Sequence, residues 1–103
     1  MNEQRLIEKI QQLVPGYMVD STVAYVLEGQ RPGGFLTAVM ENKLYEAACK
    51  GDHTNRLYLL NWATLLESLP GGCWGSSYKV DKWMAAGGLR GVTKTMMEQT
   101  DGN

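Results

Sequence analysis

The sequence has few of the residues from which metal sites and disulfide frameworks are built. Its 103 residues include one histidine and two cysteines, Cys49 and Cys73, and no Cys-x-x-Cys pair. Structural zinc sites usually take four ligands in recognisable pairs, so we predict no metal site and no cofactor. Two cysteines also fall short of the framework of a disulfide-rich secreted domain, and we expect both to be reduced thiols in a cytoplasm.

An excess of one charge and long apolar runs are missing as well. Ten Lys and Arg residues against eleven Asp and Glu residues give a net charge of −1. Proteins that bind nucleic acid through their overall field are usually basic, so nucleic acid is not an expected partner. No apolar run approaches the length of a membrane helix, and residues 1–10 lack the apolar centre of a signal peptide. We therefore predict a cytoplasmic protein with no membrane partner.

What is present is typical of a globular protein. Apolar residues make up 44% of the chain and charged residues 20%, which is an ordinary balance for a folded domain. The length suits one domain that buries a core without the help of a metal or disulfides. We predict a single helical domain over residues 1–103, with about residues 100–103 frayed.

Two amphipathic stretches at the centre of the chain predict the fold. Apolar residues recur at three- and four-residue steps over about residues 34–50 and again over about 53–69, which is the pattern of two helices. We expect Gly51 to end the first helix in the left-handed conformation, Asp52 to cap the second and Pro70 to stop it. The side chains expected to face the core are Phe35, Leu36, Val39, Met40, Leu44, Ala47, Ala48, Leu57, Leu60, Leu65, Leu66 and Leu69.

Shorter helices surround this hairpin. We predict helices over about residues 3–14, capped by Asn2, and over about 17–28, ended by Gly29. A further helix over about 78–86, capped by Ser76 or Ser77, is followed by a short one near 92–99. The predicted fold class is therefore all-α, a compact bundle of about five short helices around a central helical hairpin.

A turn before the hairpin is a candidate anion site. Arg31 precedes Gly33 and Gly34 at a predicted helix start, where uncovered backbone N–H groups favour an anion. The guanidinium adds a bidentate donor for phosphate or carboxylate. Trp74, in a glycine-rich loop, could stack on a nucleotide base, or it could seal the ends of the helices. The alternative for the glycines is a tight turn that requires their backbone freedom.

A polar cluster after Gly51 is a candidate interaction patch. His53, Asn55 and Arg56 follow Asp52 at the start of the second central helix. Exposed, they would recognise a partner. The alternative is local, because caps and loop-tying amides are common at helix starts. Asn42 and Asn61 are amides within the predicted helices, and we expect a hydrogen-bond partner for each if it faces inward.

No catalytic constellation stands out. A reactive cysteine needs an adjacent base and an accessible, electropositive setting. Cys49 follows Ala47 and Ala48 on the apolar face, so we expect it to be buried. No paired carboxylates or catalytic triad are apparent, and we predict no catalytic residue and no enzyme. Six Met, three Trp and five Tyr provide adaptable apolar surface instead, which favours a protein partner or a homo-oligomer.

Four runs within residues 15–88 carry a resemblance. PGGFLTAVMENKLYEA, GDHTN, LPGGCWGS and KVDKWMAAGG resemble small accessory proteins of bacteriophages, prophages and other mobile elements that have no assigned activity. The resemblance implies a protein that acts in a bacterial host by binding and blocking a host component. The first functional hypothesis is accordingly a non-catalytic binding protein. The alternative is a protein that binds a small anion or nucleotide second messenger, and the third is nucleic-acid binding through Lys79, Lys82, Arg90 and Lys94.

Overall fold

The fold is built from helices alone. The computed structural model describes the backbone of residues 2–101 and the side chains of residues 2–96. It has eight α-helices and one short 3-10 helix, and no strand occurs in residues 2–101. The predicted all-α class is confirmed, whereas the predicted number of about five helices is wrong. The helices are α1 (Glu3–Leu13), a 3-10 helix (Gly16–Met18), α2 (Val19–Glu28), α3 (Gly34–Met40), α4 (Leu44–Lys50), α5 (His53–Leu57), α6 (Leu59–Ser68), α7 (Ser77–Ala86) and α8 (Gly88–Asp101).

Local capping places most helix starts where the sequence predicts them. The side chain of Asn2 accepts from the Gln4 N–H at 2.7 Å and begins α1. Asp52 accepts from the Asn55 N–H at 2.8 Å and begins α5. Ser76 caps α7 in the same way. Of residues 100–103, for which we predict fraying, 100 and 101 belong to α8 and the other two lie outside the described residues.

Each of the two long helices predicted for the central hairpin is divided into two shorter helices. In the first, Asn42 adopts the left-handed conformation with φ 63°. The N–H of Lys43 then bonds to the Ala38 carbonyl and that of Asn42 to the Val39 carbonyl. This is the hydrogen-bond pattern with which helices commonly end, and asparagine takes the place of the usual glycine. The second predicted helix is interrupted at Tyr58, between α5 and α6.

Gly51 does not adopt the left-handed conformation that the sequence predicts. Its φ of −74° and ψ of 144° are extended rather than left-handed. A Cβ at this position would lie 2.9 Å from the ring of Phe35 and 3.1 Å from the Ala47 carbonyl oxygen. Glycine is therefore required here for the close approach of an aromatic ring and not for its backbone freedom.

The breaks change which leucines face the core. Ala47 is the buried residue of α4, while Leu44 is 72% exposed. Leu57 and Leu60 are 71% and 80% exposed, so the predicted burial of all three leucines is wrong. Because the chain turns at Asn42 and again after α5, a periodicity counted through the turns assigns the wrong face.

The rest of the predicted core is buried, except Ala48, which is half-buried. Phe35 meets Trp62 edge to face, with ring centroids 5.5 Å apart, and Leu66 packs nearby at 8% exposure. The amide of Asn61 donates to the Leu13 carbonyl at 3.0 Å and ties α6 to α1. The most deeply buried large side chains are Trp62, Tyr25, Leu6, Ile10, Leu27, Leu36, Met40 and Leu65.

α8 packs extensively on α2, and glycines allow the closest approach. Gly88 has φ 71°, and a Cβ there would lie 2.5 Å from the Gly29 nitrogen. Gly29 itself ends α2 with φ 70°. The two backbones therefore cross with no room for a side chain on either.

Candidate functional site

Residues from both predicted sites meet in one cavity of about 340 Å³. Gly33 and Gly34 come from the start of α3, and Asn55 comes from the first turn of α5. Their meeting follows from the folding of α5 back towards the start of α3. We call this the polar cavity, and it is lined by Tyr17, Met18, Ser21, Gly33, Gly34, Phe35, Leu36, Lys50, Asp52 and Asn55.

Asn55 is the unusual member of the polar cavity. Only 4% of the residue is exposed, and its Oδ1 atom is buried without a hydrogen-bond partner. Its backbone N–H satisfies the Asp52 cap, so the side chain is not needed for capping. A buried polar atom left unpaired costs about 1–3 kcal/mol. Since an apolar side chain would avoid this cost, local structure does not account for an amide at position 55.

The hydroxyl of Tyr17 donates to the Asp52 carboxylate at 2.5 Å and joins the two sides of the polar cavity. This bond, together with the bond from the Asn55 N–H, lowers the pKa of Asp52. The same contact raises the pKa of Tyr17, because ionising the phenol would lose the hydrogen bond to Asp52 and place two anions together. Lys50 brings a positive charge, and its stem passes Gly34. The wall therefore holds one cation and one anion.

The other predicted site residues lie elsewhere. Arg31 is exposed, as are His53 and Arg56, and none of the three lines the polar cavity. Trp74 is half-buried and packs against the core. Sequence reasoning missed Tyr17 as a member of the cavity, because it lies on the 3-10 helix far along the chain from Asp52.

A second concave site lies between the turn after α6 and helices α7 and α8. Its volume is about 530 Å³. The Trp83 ring forms part of the wall and is held by a 3.1 Å bond from its Nε1 to the Val26 carbonyl. We call this site the basic-rimmed groove, and it is lined by Pro70, Gly72, Tyr78, Lys79, Lys82, Trp83, Ala86, Leu89 and Val92.

Lysines are the charged residues of this lining. The Lys82 ammonium lies 5.3 Å from the centre of the Tyr78 ring, and Lys79 reaches the Gly71 carbonyl at 3.4 Å. Arg90 lines neither the polar cavity nor the basic-rimmed groove. Its guanidinium binds Glu3 and Glu28, and these partners raise its pKa. Of the four cations named for nucleic-acid binding, Lys79 and Lys82 line the groove and Arg90 belongs to an ion-pair network. Lys94 belongs to neither.

A third feature is a set of exposed apolar side chains on α4, α5 and α6. The set consists of Leu44, Leu57, Leu60 and Tyr45, and Tyr45 is 82% exposed. We call these four residues the exposed leucine surface. Leu44 also borders a cavity of about 210 Å³ against α6. Contiguous exposed apolar patches are typical of contact surfaces, and these four large side chains lie on three consecutive helices.

The cysteines occupy opposite environments. Cys49 is exposed, so the prediction that it is buried is wrong; the break at Asn42 turns α4 so that Ala47 faces inward instead. Cys73 is buried, and burial raises the pKa of its thiol to about 12, which leaves it protonated and a poor nucleophile. Among the residues that the structure describes, no group of three or more His, Cys, Asp or Glu side chains could hold a metal ion.

Comparison with known proteins gives no relative from which a function could be transferred. No protein-family model, no curated protein and no solved structure matches the chain significantly. None of the helices, over the described residues, combines the length and the apolar character needed to cross a bilayer. The three surface features therefore have to be interpreted from their own chemistry.

Proposed function

We propose that this chain is a non-catalytic protein-binding domain whose partner places an acidic, apolar segment in the basic-rimmed groove. The observation that carries the proposal is the composition of the groove: an apolar wall around Trp83, with Lys79 and Lys82 as the charged residues of its lining. An amphipathic segment buries its apolar face in such a groove, and its carboxylates meet the lysines at the edge.

The position of Trp83 supports this use of the groove. Tryptophan is enriched among the residues that dominate binding energy, particularly where it is fixed in a well-packed setting. Its hydrogen bond to the Val26 carbonyl holds the ring in place, so little conformational entropy would be lost on binding. The lysines would contribute mainly to the rate of association and to selectivity for acidic partners.

The resemblance to phage and prophage accessory proteins gives the proposal a setting. In that setting the partner is a component of the bacterial host, the protein acts in the host cytoplasm, and occupancy of the groove blocks or modulates that component. The bound segment would come from a protein that exposes an acidic helix or loop.

A comparative capture experiment tests the groove. The full-length chain, the variant Lys79→Glu/Lys82→Glu and the control Lys94→Glu are used as baits in a bacterial lysate, and retained proteins are quantified by mass spectrometry. We expect at least one protein to be retained by the wild type and the control and to be depleted at least tenfold with the double variant. Retention should also fall as salt rises. Equal retention by all three baits, or no specific retention by the wild type, would contradict the proposal.

The exposed leucine surface favours a second proposal, self-association. Complete burial of one leucine side chain stabilises a complex by about 1.5–3 kcal/mol, and Leu44, Leu57 and Leu60 are each more than two-thirds exposed. Light scattering should give a mass above that of one chain, and Leu60→Lys should reduce it while Gln12→Lys, on the exposed side of α1, should not. A wild-type protein that stays monomeric at all concentrations would exclude self-association.

A further inference from the structure

We propose that the polar cavity binds a small neutral molecule through an edge that places a hydrogen-bond donor beside an acceptor. Nucleobases and primary carboxamides have such an edge, and the side chain of Asn55 would be its principal partner. The polar cavity and the basic-rimmed groove share no lining residue, so this proposal does not depend on the proposed function.

The first argument is the state of Asn55. Its Oδ1 atom is buried and unpaired, and the structure gives its side chain no hydrogen bond. A carboxamide offers an acceptor and two donors in one plane, and it pairs in a bidentate manner with an edge of matching donor and acceptor, as asparagine does with adenine. The unpaired amide in the wall of an open cavity therefore indicates the chemistry of the missing group.

The second argument is the charge of the wall. Lys50 and Asp52 contribute opposite charges, and the lowered pKa of Asp52 keeps its carboxylate ionised at neutral pH. A phosphate in this cavity would gain from the lysine but would lie against the carboxylate. A neutral ligand avoids that repulsion and can still bond to both groups. The charge balance thus favours an uncharged ligand over the anion predicted from Arg31, Gly33 and Gly34.

The third argument is shape. The volume of about 340 Å³ lies at the lower end of the range found for small-molecule pockets. Met18, Phe35 and Leu36 supply apolar wall beside the polar groups. At Gly33, nothing lies within 4 Å of where a Cβ would be placed, so the backbone there leaves open space. A single heterocycle or a small amide matches these dimensions better than a dinucleotide.

Two amide substitutions separate a binding role from a structural one. Asn55→Leu replaces the unpaired amide with an apolar group of similar size, and Asn61→Leu is the matched control, because the Asn61 amide makes a bond to the Leu13 carbonyl. We expect Asn55→Leu to leave the urea midpoint of unfolding unchanged or higher, and Asn61→Leu to lower it. An Asn55→Leu variant that loses as much stability as the control would assign a structural role to the amide and overturn the proposal.

Binding is measured by NMR titration of the full chain with adenosine, nicotinamide and inorganic phosphate as separate probes. Adenosine tests a nucleobase edge, nicotinamide tests a primary carboxamide, and phosphate tests the anion alternative. We expect adenosine or nicotinamide to shift the amide signals of residues lining the polar cavity and Asn55→Leu to weaken that binding at least tenfold. Binding of phosphate alone, shifts outside the polar cavity, or no shift at millimolar probe would refute the inference.

Discussion

Substitution of Gly88 by alanine tests the close backbone contact between α2 and α8. At this position α8 begins against the end of α2, and φ is 71°. An added Cβ would lie 2.5 Å from the Gly29 nitrogen and 2.6 Å from the Glu28 nitrogen. These neighbours are backbone atoms, so the contact can be relieved only by moving α8 away from α2.

Two costs combine in Gly88→Ala. Placing an L-residue in the left-handed conformation costs about 1–2 kcal/mol, and forcing extra volume into a packed contact costs about 1–3 kcal/mol. Their sum, about 2–5 kcal/mol, is a large part of the 5–15 kcal/mol by which domains are typically stable. With a urea dependence of about 1–3 kcal/mol per molar, we expect the midpoint of unfolding to fall by at least about 0.7 M.

Urea unfolding followed by tryptophan fluorescence measures this effect, because Trp62 and Trp83 are buried in the native state. The matched control is Gly71→Ala. No atom lies within 4 Å of the Cβ that it would add, and its φ is not positive, so its midpoint should stay within a few tenths of a molar of the wild type. If Gly88→Ala unfolds at the wild-type concentration, or if both variants shift equally, the close approach of α2 and α8 is not as described.

Three further predictions concern other parts of the chain. In the monomer, Leu65→Ala should lower the free energy of unfolding by about 2–5 kcal/mol, since Leu65 is fully buried, while Leu60→Ala should change it by less than about 0.5 kcal/mol; equal effects in urea titrations of the monomer would contradict the assignment of the core. In the native protein a thiol reagent should label Cys49 within minutes and Cys73 only on unfolding, as mass spectrometry would show. The pKa of Asp52 is lowered from its ordinary value of 3.8, so its ionised form stabilises the fold above that pH. The stability advantage of the wild type over Asp52→Asn should therefore be constant from neutral pH to about pH 5 and vanish as the pH falls below 3.8. An advantage that persists at about pH 2 would rule out the carboxylate as its source.

Local signals in the sequence predict the helix starts, because a cap depends only on residues two or three positions apart. Asn2, Asp52 and Ser76 all cap as expected. Helix ends are harder to predict when glycine is not the residue used. Asn42 ends α3 in the left-handed conformation that glycine usually takes, so no glycine marks this helix end. An apolar periodicity counted through Asn42 then assigns Leu44 to the core.

Contacts between distant segments cannot be read from spacing. The polar cavity needs Tyr17 beside Asp52, and neither residue has a local feature that points to the other. The sequence does single out Gly33, Gly34 and Asn55, but it places them in two sites with separate purposes. Only the packing of α4 on α3, which places the first turn of α5 near Gly33 and Gly34, brings them to one wall. Arg31 and Trp74 belong by sequence to the same predicted site, and the fold sets them apart from it.

The pairing of α2 with α8 also has a consequence for synthesis on the ribosome. Val26 and Leu27 are buried, and their helix packs on the last described helix of the chain. A nascent chain therefore carries a partly uncovered apolar segment in α2 until translation of α8 is complete. During that interval the segment is available to chaperones, and termination before Gly88 would leave the face that α8 covers exposed.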